Sequence, residues 1–229
     1  MIAELPSPYV EKSDPWSSHT IVLKHLARLP QGSNILDVGT ASGMVGRACA
    51  GNGFSLYGLE PNPVCARQAR PYYDKFSCTS LENANDVFLS GHDVVVCADV
   101  LEHLVDPTFT LLRLVSLQPT GARFIISIPN IANLWVRLNL LIGRFDYTEH
   151  GILDRTHLRF FTRHSFLKLI KTAGLEVVNF QVTPIPLNLV SPVFENTTVG
   201  RFLHCSLAWL SNAFPTLLGY QFVVEAIKR

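Results

Sequence analysis

The feature that most limits how this chain can fold is an alternation of short apolar runs, rich in β-branched residues, with segments of helical spacing. Asn34 to Gly39, Phe54 to Leu59 and His92 to Asp99 read as strands, with a weaker one at Phe76 to Thr79 and another at Ala122 to Ile128. Helical spacing appears at Ser17 to Leu29, Met44 to Ala50, Pro63 to Arg70 and Pro107 to Leu117. The run from His92 is apolar on consecutive residues, the mark of a strand buried on both faces. Strands separated by helices pair in parallel, because the crossover returns each strand to the same end of the sheet. The expected fold is therefore α/β: a doubly wound, mostly parallel, Rossmann-like sheet of seven strands. Leu175 to Val182 supplies the sixth, and Tyr220 to Lys228 is expected as an antiparallel edge strand.

Beyond Pro129 the alternation breaks. Ile131 to Ile142 is apolar with helical spacing and runs into the polar stretch GRFDYTEHGILDRTHLRFFT; a helix at His164 to Ala173 then restores the pattern. We read one domain over residues 1–229, with 130–162 and 184–215 as insertions that cover the ligand cleft. The first insertion carries Tyr147, His150, Asp154, Arg155, His157 and Arg159. These make either a lid facing the cleft or a solvated loop laced by its own ion pairs.

Composition narrows the partners. With 229 residues, 48% hydrophobic and 16% charged, the chain can bury a substantial core. A formal net charge of +1 with no basic stripe argues against nucleic acid and for a small-molecule partner. The five cysteines form no CxxC pair and lie near no histidine cluster, so free thiols in a reducing cytoplasm are expected, with no metal. The N-terminal MIAELPSPYVEKSDPW has early charges and prolines in place of a signal peptide's apolar run. Phe202 to Val224 is uncharged apart from His204 but is interrupted by Ser, Asn, Pro215 and Gly219, so no transmembrane segment is expected. Contact with a membrane surface stays open, and oligomeric state is unreadable.

The chemistry gathers where strands end. Asp37, Gly39 and Gly43 form D-x-G-x-x-x-G at the end of the first strand, and Glu60 ends the second. Open α/β sheets bind ligands beyond the carboxyl ends of their strands, and an acid about twenty residues past the glycine turn accepts ribose hydroxyls. A pyrophosphate would require G-x-G-x-x-G; here the loop reads G-T-A-S-G behind a carboxylate that would repel phosphate. The acid suits the amino group of a methionine moiety, which favours S-adenosylmethionine over NAD. The bland reading makes the glycines a plain strand–helix turn.

The stretches DPWSSH, ILDVGTASG, YGLEPNP, DVVVCADVLEHLVDP, ISIPN and GILDRTHLRFFTRHSF resemble class I S-adenosylmethionine-dependent methyltransferases of the type 11, 12 and 23 domain families, relatives of ubiquinone-biosynthesis O-methyltransferases included. The resemblance covers about Asp14 to Val178 and, more weakly, YQFVVEAIK. It implies cofactor contacts from Asp37, Gly39, Thr40 and Gly43, ribose binding by Glu60 with Pro61 beside it, and a cofactor-facing Asp99. Two positions depart from the family. Ala41 replaces the commoner glycine, and Ser80 stands where many members carry the acid that receives the adenine amino group, leaving the backbone amide of Leu81 for adenine. The bland alternative makes Asp99 the N-cap of the turn that follows it, a role it could hold together with the first.

Methyl transfer to a hydroxyl benefits from a base titrating near neutrality, which favours histidine. His103, four residues past Asp99, is the first candidate and His157 the second; each also reads as a local structural residue. Trp135, Phe145, Phe160, Phe161 and Trp209 on the insertions suggest an apolar, aromatic or sugar acceptor. The rivals are a non-catalytic S-adenosylmethionine binder and an NAD(P)-linked oxidoreductase.

Overall fold

A computed structural model describes residues 14–187, 191 and 193–229. The N-terminal stretch read above as lacking a signal peptide lies mostly outside them. Seven strands form one sheet: β1 (Asn34–Val38), β2 (Ser55–Leu59), β3 (Lys75–Ser77), β4 (Val94–Ala98), β5 (Arg123–Pro129), β6 (Leu175–Thr183) and β7 (Gln221–Lys228), in the order β3-β2-β1-β4-β5-β7-β6. The first five are parallel, and β7 runs antiparallel between β5 and β6. The C-terminal strand expected at the edge is thus interior, and β6 takes the edge. The burial agrees: Phe222 to Val224 and Ala226 are fully buried, whereas β6 is half-exposed along much of its length.

β4 shows why the sequence reads as an unbroken apolar run. Val95 and Cys97 join the larger core on one face; Val94 and Val96 join the core on the other. On the first face lie α4 (Asp86–Leu89), α5 (Pro107–Ser116) and α7 (Arg163–Thr172), contributing Leu89, Leu111, Leu114, Phe166 and Ile170. On the second lie α1 (Ser18–Leu26), α2 (Met44–Cys49) and α3 (Pro63–Ala69), contributing Val22, Leu26, Val45 and Ala69. The helices start where side-chain caps allow. Ser17 caps α1, Asn62 caps α3 with Pro63 in its first turn, and Thr162 with Ser165 forms a capping box on α7. α1 ends three residues before the expected Leu29.

After β5 the chain forms α6 (Leu134–Leu141), and before β7 it forms α8 (Val193–Asn196), α9 (Thr198–Ala213) and α10 (Pro215–Leu218). Pro215 divides the uncharged run, and no described helix is long and apolar enough to cross a membrane. Cys49, Cys65 and Cys97 are buried free thiols, while Cys78 and Cys205 are exposed and free. The strand order reverses between β1 and β4, which opens a crevice at their carboxyl ends. The loops after β1, β2 and β4 all leave the sheet there.

Candidate active site

The turn after β1 is built from backbone conformations that side chains resist. Gly39 (φ 73°) and Gly43 (φ 87°) occupy the left-handed region, and a Cβ on Gly43 would lie 2.8 Å from the Cα of Ala69. Ala41 also has positive φ, 45°, which explains why glycine is the commoner residue there. Glu60 holds it in place. Its Oε2 accepts the Ala41 amide at 2.8 Å and its Oε1 accepts the Asn62 amide at 2.9 Å, so one buried carboxylate ties together the loops after β1 and β2. Burial pushes the Glu60 carboxyl above its usual range, against the two amides that lower it. Each carboxylate oxygen keeps one further lone pair, the acceptor pair that vicinal ribose hydroxyls require.

The amides of Gly39 and Thr40 both donate to the Leu59 carbonyl, at 2.8 and 3.2 Å. They are committed to the sheet and form no cradle for a phosphate. Pro61 is exposed at the start of the turn after β2, and Thr40 is buried. After β3, Ser80 is half-buried, its carbonyl accepting the Asn83 amide, and the Leu81 side chain is part of the core.

Asp37 is 2% exposed, and the Tyr73 hydroxyl donates to its Oδ2 at 2.5 Å. The same hydroxyl accepts the Gly46 amide at 3.1 Å, so Tyr73 joins the end of β1 to α2. Burial raises the Asp37 carboxyl to about 7; the Tyr73 hydrogen bond opposes this and the Glu60 charge adds to it. Burial beside Asp37 also drives the Tyr73 phenol up, so it stays a donor at neutral pH.

Asp99 follows β4 with φ 57°, a strained conformation for a residue with a side chain. Its Oδ1 accepts the Ser127 hydroxyl at 2.6 Å and its Oδ2 the Gln221 amide at 2.8 Å. It caps no helix: the short 3₁₀ turn Leu101–His103 has no side-chain cap, and Asp106 caps α5. The N-cap reading of Asp99 is therefore replaced by one in which β5 and β7 fix the carboxylate in position.

The two candidate histidines come together from a distance of more than fifty residues. Their rings lie 4.9 Å apart in an edge-on arrangement. The Nδ1 of His103 faces the Thr156 carbonyl at 3.2 Å, and the Nδ1 of His157 faces the Ile152 carbonyl at 3.1 Å. A carbonyl only accepts, so each Nδ1 carries the proton and each Nε2 of the neutral ring presents a lone pair. Burial lowers the His157 pKa and so keeps that ring neutral at pH 7. Glu102 is buried beside them. One ligand atom from each of Glu102, His103 and His157 lies within 4.8 Å of the others, close enough to share a divalent cation. Histidines whose other nitrogen is held by a carbonyl are a common preparation for metal binding.

A family model for a methyltransferase domain matches residues 18–179. This chain belongs to that methyltransferase family. It is 25% identical over 182 residues to a ubiquinone biosynthesis O-methyltransferase of Azoarcus sp. strain BH72, covering 76% of this chain and 77% of that one. Its fold matches the magnesium protoporphyrin IX methyltransferase of Synechocystis PCC 6803, solved with bound S-adenosylhomocysteine, with a TM-score of 0.59, 17% identity, and coverage of 93% and 82%. A chain described as the 4+2 cyclase SpnF matches equally well, with a TM-score of 0.58, 14% identity, and coverage of 91% and 80%, so the fold alone does not name a reaction. The protein is a class I S-adenosylmethionine-dependent methyltransferase, and S-adenosylmethionine is its cofactor.

The methyltransferase's polar insertion cluster divides. His157 points inward with His103. Arg155 pairs with Glu149 at 2.5 Å on the surface, Tyr147 and His150 are exposed, and the Arg159 guanidinium donates to the Val105 carbonyl. Asp154 accepts the amide and hydroxyl of Thr156 and shapes the turn that delivers His157. Three supporting residues were not singled out from the sequence: Tyr73, Ser127 and Gln221. Only Ser127 left a signal, as a lone hydroxyl inside the apolar strand ISIP.

The Asp37 shift gives a stability prediction. Its folded pKa lies above the unfolded value near 3.8, so its favourable contribution is complete below pH 4 and disappears as pH rises through 7. In the cofactor-free methyltransferase, Asp37→Asn should gain on the wild type between pH 4 and 8, by up to roughly 4 kcal/mol. Urea unfolding at both ends of that window measures the gain; parallel pH profiles would show that Asp37 is not held neutral by burial.

Proposed function

We propose that this methyltransferase transfers the methyl group to a hydroxyl of a small, partly apolar acceptor. The observation that carries the reading is the pairing of the His103 and His157 rings, 4.9 Å apart with each Nδ1 on a backbone carbonyl, just beyond the carboxyl end of β4. When bound, S-adenosylmethionine supplies an already activated methyl group, so the protein's work is placement, exclusion of water and removal of one proton. Well-oriented reactants gain about 7–11 kcal/mol from placement. Glu60 with Pro61 would hold the ribose, the Gly39–Gly43 turn with Thr40 the methionine portion, and Leu81 the adenine through its amide. Asp37, buried behind the turn, would give up its proton when the positively charged amino group of the methionine portion is bound there. His103, half-buried and therefore open to an acceptor, takes the hydroxyl proton at Nε2, and His157 orients it. The ubiquinone O-methyltransferase relatives support a hydroxyl acceptor. A second reading, favoured by the proximity of Glu102, His103 and His157, places a divalent cation on these three to lower the acceptor hydroxyl's pKa.

A matched acceptor series tests the reading: phenols and catechols against their amine isosteres, with and without chelator. Turnover on the hydroxyl members supports O-methylation, amine-only turnover overturns it, and loss with chelator selects the cation.

The segment 131–161 is a closed excursion. Ile131 donates to the Phe161 carbonyl, and Leu158 and Arg159 both donate to the Glu102 carbonyl, which fastens its return beside β4. We propose it as the lid that excludes water. Hydrogen exchange should slow at 152–160 when S-adenosylhomocysteine and acceptor are both added; unchanged exchange there would remove the lid.

A further inference from the structure

α9 is inside out. A surface helix ordinarily turns its large apolar residues to the core. Here the buried stripe is Gly200, His204, Ala208 and Ser211, while the opposite side exposes Val199, Phe202, Leu203, Trp209 and Phe214. Ala208 is 1% exposed and its neighbour Trp209 71%. The inversion is fixed in place. His204 Nε2 meets Asp14 Oδ2 at 2.8 Å, the Ser211 hydroxyl donates to the Leu218 carbonyl, and a Cβ on Gly200 would run into the Val193 carbonyl. α6 repeats the pattern. Val136 is its only buried residue, and Trp135, Leu138, Leu141 and Ile142 are exposed. The start of α6 is tied to α10, the short helix that follows α9, because the Asn130 and Asn133 carboxamides donate to the carbonyls of Thr216, Leu218 and Gly219, and Ser211 of α9 donates to the same Leu218 carbonyl.

Charge decides what covers these faces. Residues 131–145 and 196–219 contain Arg137, Arg144 and Arg201 and no Asp, Glu or Lys. In a two-fold self-association the same patch would face its copy, setting arginine against arginine with no carboxylate on α6 or α9 to offset either, the nearest in sequence being Asp146 and Glu195. Anionic headgroups complement the three arginines, and the exposed tryptophans suit the boundary between headgroup and acyl chain. We infer that α9 and α6 dock the enzyme on an anionic lipid surface, lying in its plane and bringing the cleft beyond β5 close to it. This docking holds whichever acceptor is methylated.

Vesicle co-sedimentation of the full chain tests it, with phosphatidylcholine alone and with phosphatidylcholine plus phosphatidylglycerol. The wild type should bind the anionic vesicles at least about tenfold more tightly, less so in high salt, with a blue shift of tryptophan emission. Phe202→Glu with Trp209→Glu should lower that partitioning by about tenfold or more, with thermal unfolding and S-adenosylhomocysteine affinity unchanged. Arg137→Glu with Arg144→Glu should remove the preference for anionic lipid. No vesicle binding by a folded wild type overturns the inference. So does light scattering that shows a dimer dissolved by the α9 substitutions, which would make the face a contact between copies.

Discussion

His103→Ala lowers turnover of a hydroxyl acceptor by about 10²–10⁴-fold, the range expected when a positioned general base is lost. Cofactor affinity should hold, because the ring contacts His157 and the Thr156 carbonyl and none of the groups around Glu60. His157→Ala should act more weakly through orientation, since that ring is the more buried of the two and its Nδ1 is fixed to Ile152. Steady-state kinetics with each variant, alongside calorimetry with S-adenosylhomocysteine, separates the roles. Near-normal turnover in His103→Ala together with a collapse in His157→Ala would reverse the assignment. If neither matters, alignment alone carries the reaction.

Glu60→Ala weakens S-adenosylhomocysteine binding by roughly ten- to over a hundredfold. Charge-assisted hydrogen bonds are each worth about 1.5–3 kcal/mol, and each 1.4 kcal/mol is tenfold in affinity. The substitution also releases the Ala41 and Asn62 amides, so the loop after β1 loses the contact that holds Ala41 at positive φ. Glu60→Gln keeps one oxygen acceptor and should fall between the wild type and the alanine variant. Unchanged affinity in a folded Glu60→Ala protein would sink the ribose assignment.

The parts of this molecule legible in its sequence are those set by local physics. Buried strands announce themselves by consecutive apolar residues, and the left-handed turn after β1 announces itself by glycines, so the strand–loop–helix that carries Asp37, Gly39 and Gly43 could be placed to within a residue or two. The antiparallel seventh strand was legible as a strand but not as an interior one. Nothing local in QFVVEAIK distinguishes pairing on one side from pairing on two, and only its lack of charge before Glu225 hinted at it. The supports of the site were less visible. Gln221 reaches Asp99 across 122 positions and Tyr73 reaches Asp37 across 36, contacts that periodicity cannot report. The meeting of His103 with His157 depends on the path of the whole insertion between β5 and α7. His103 was nominated for its place after a strand and His157 for its chemistry, and their adjacency emerges only once Leu158 and Arg159 are seen tied to Glu102. The outward face of α9 was hidden for a different reason. Its apolar residues have ordinary helical spacing, and spacing says nothing about which side is buried.

The fate of the methyl group itself distinguishes O-methylation from every rival reading. The enzyme is incubated with S-adenosylmethionine labelled in that methyl and a panel of hydroxyl-bearing acceptors, and the products are analysed for the atom that carries the label. Label is expected on an acceptor oxygen, with S-adenosylhomocysteine formed in equal amount and both lost together in His103→Ala. Tight S-adenosylmethionine binding with the label left on the cofactor across the panel, or label found only on nitrogen or carbon, would contradict O-methylation.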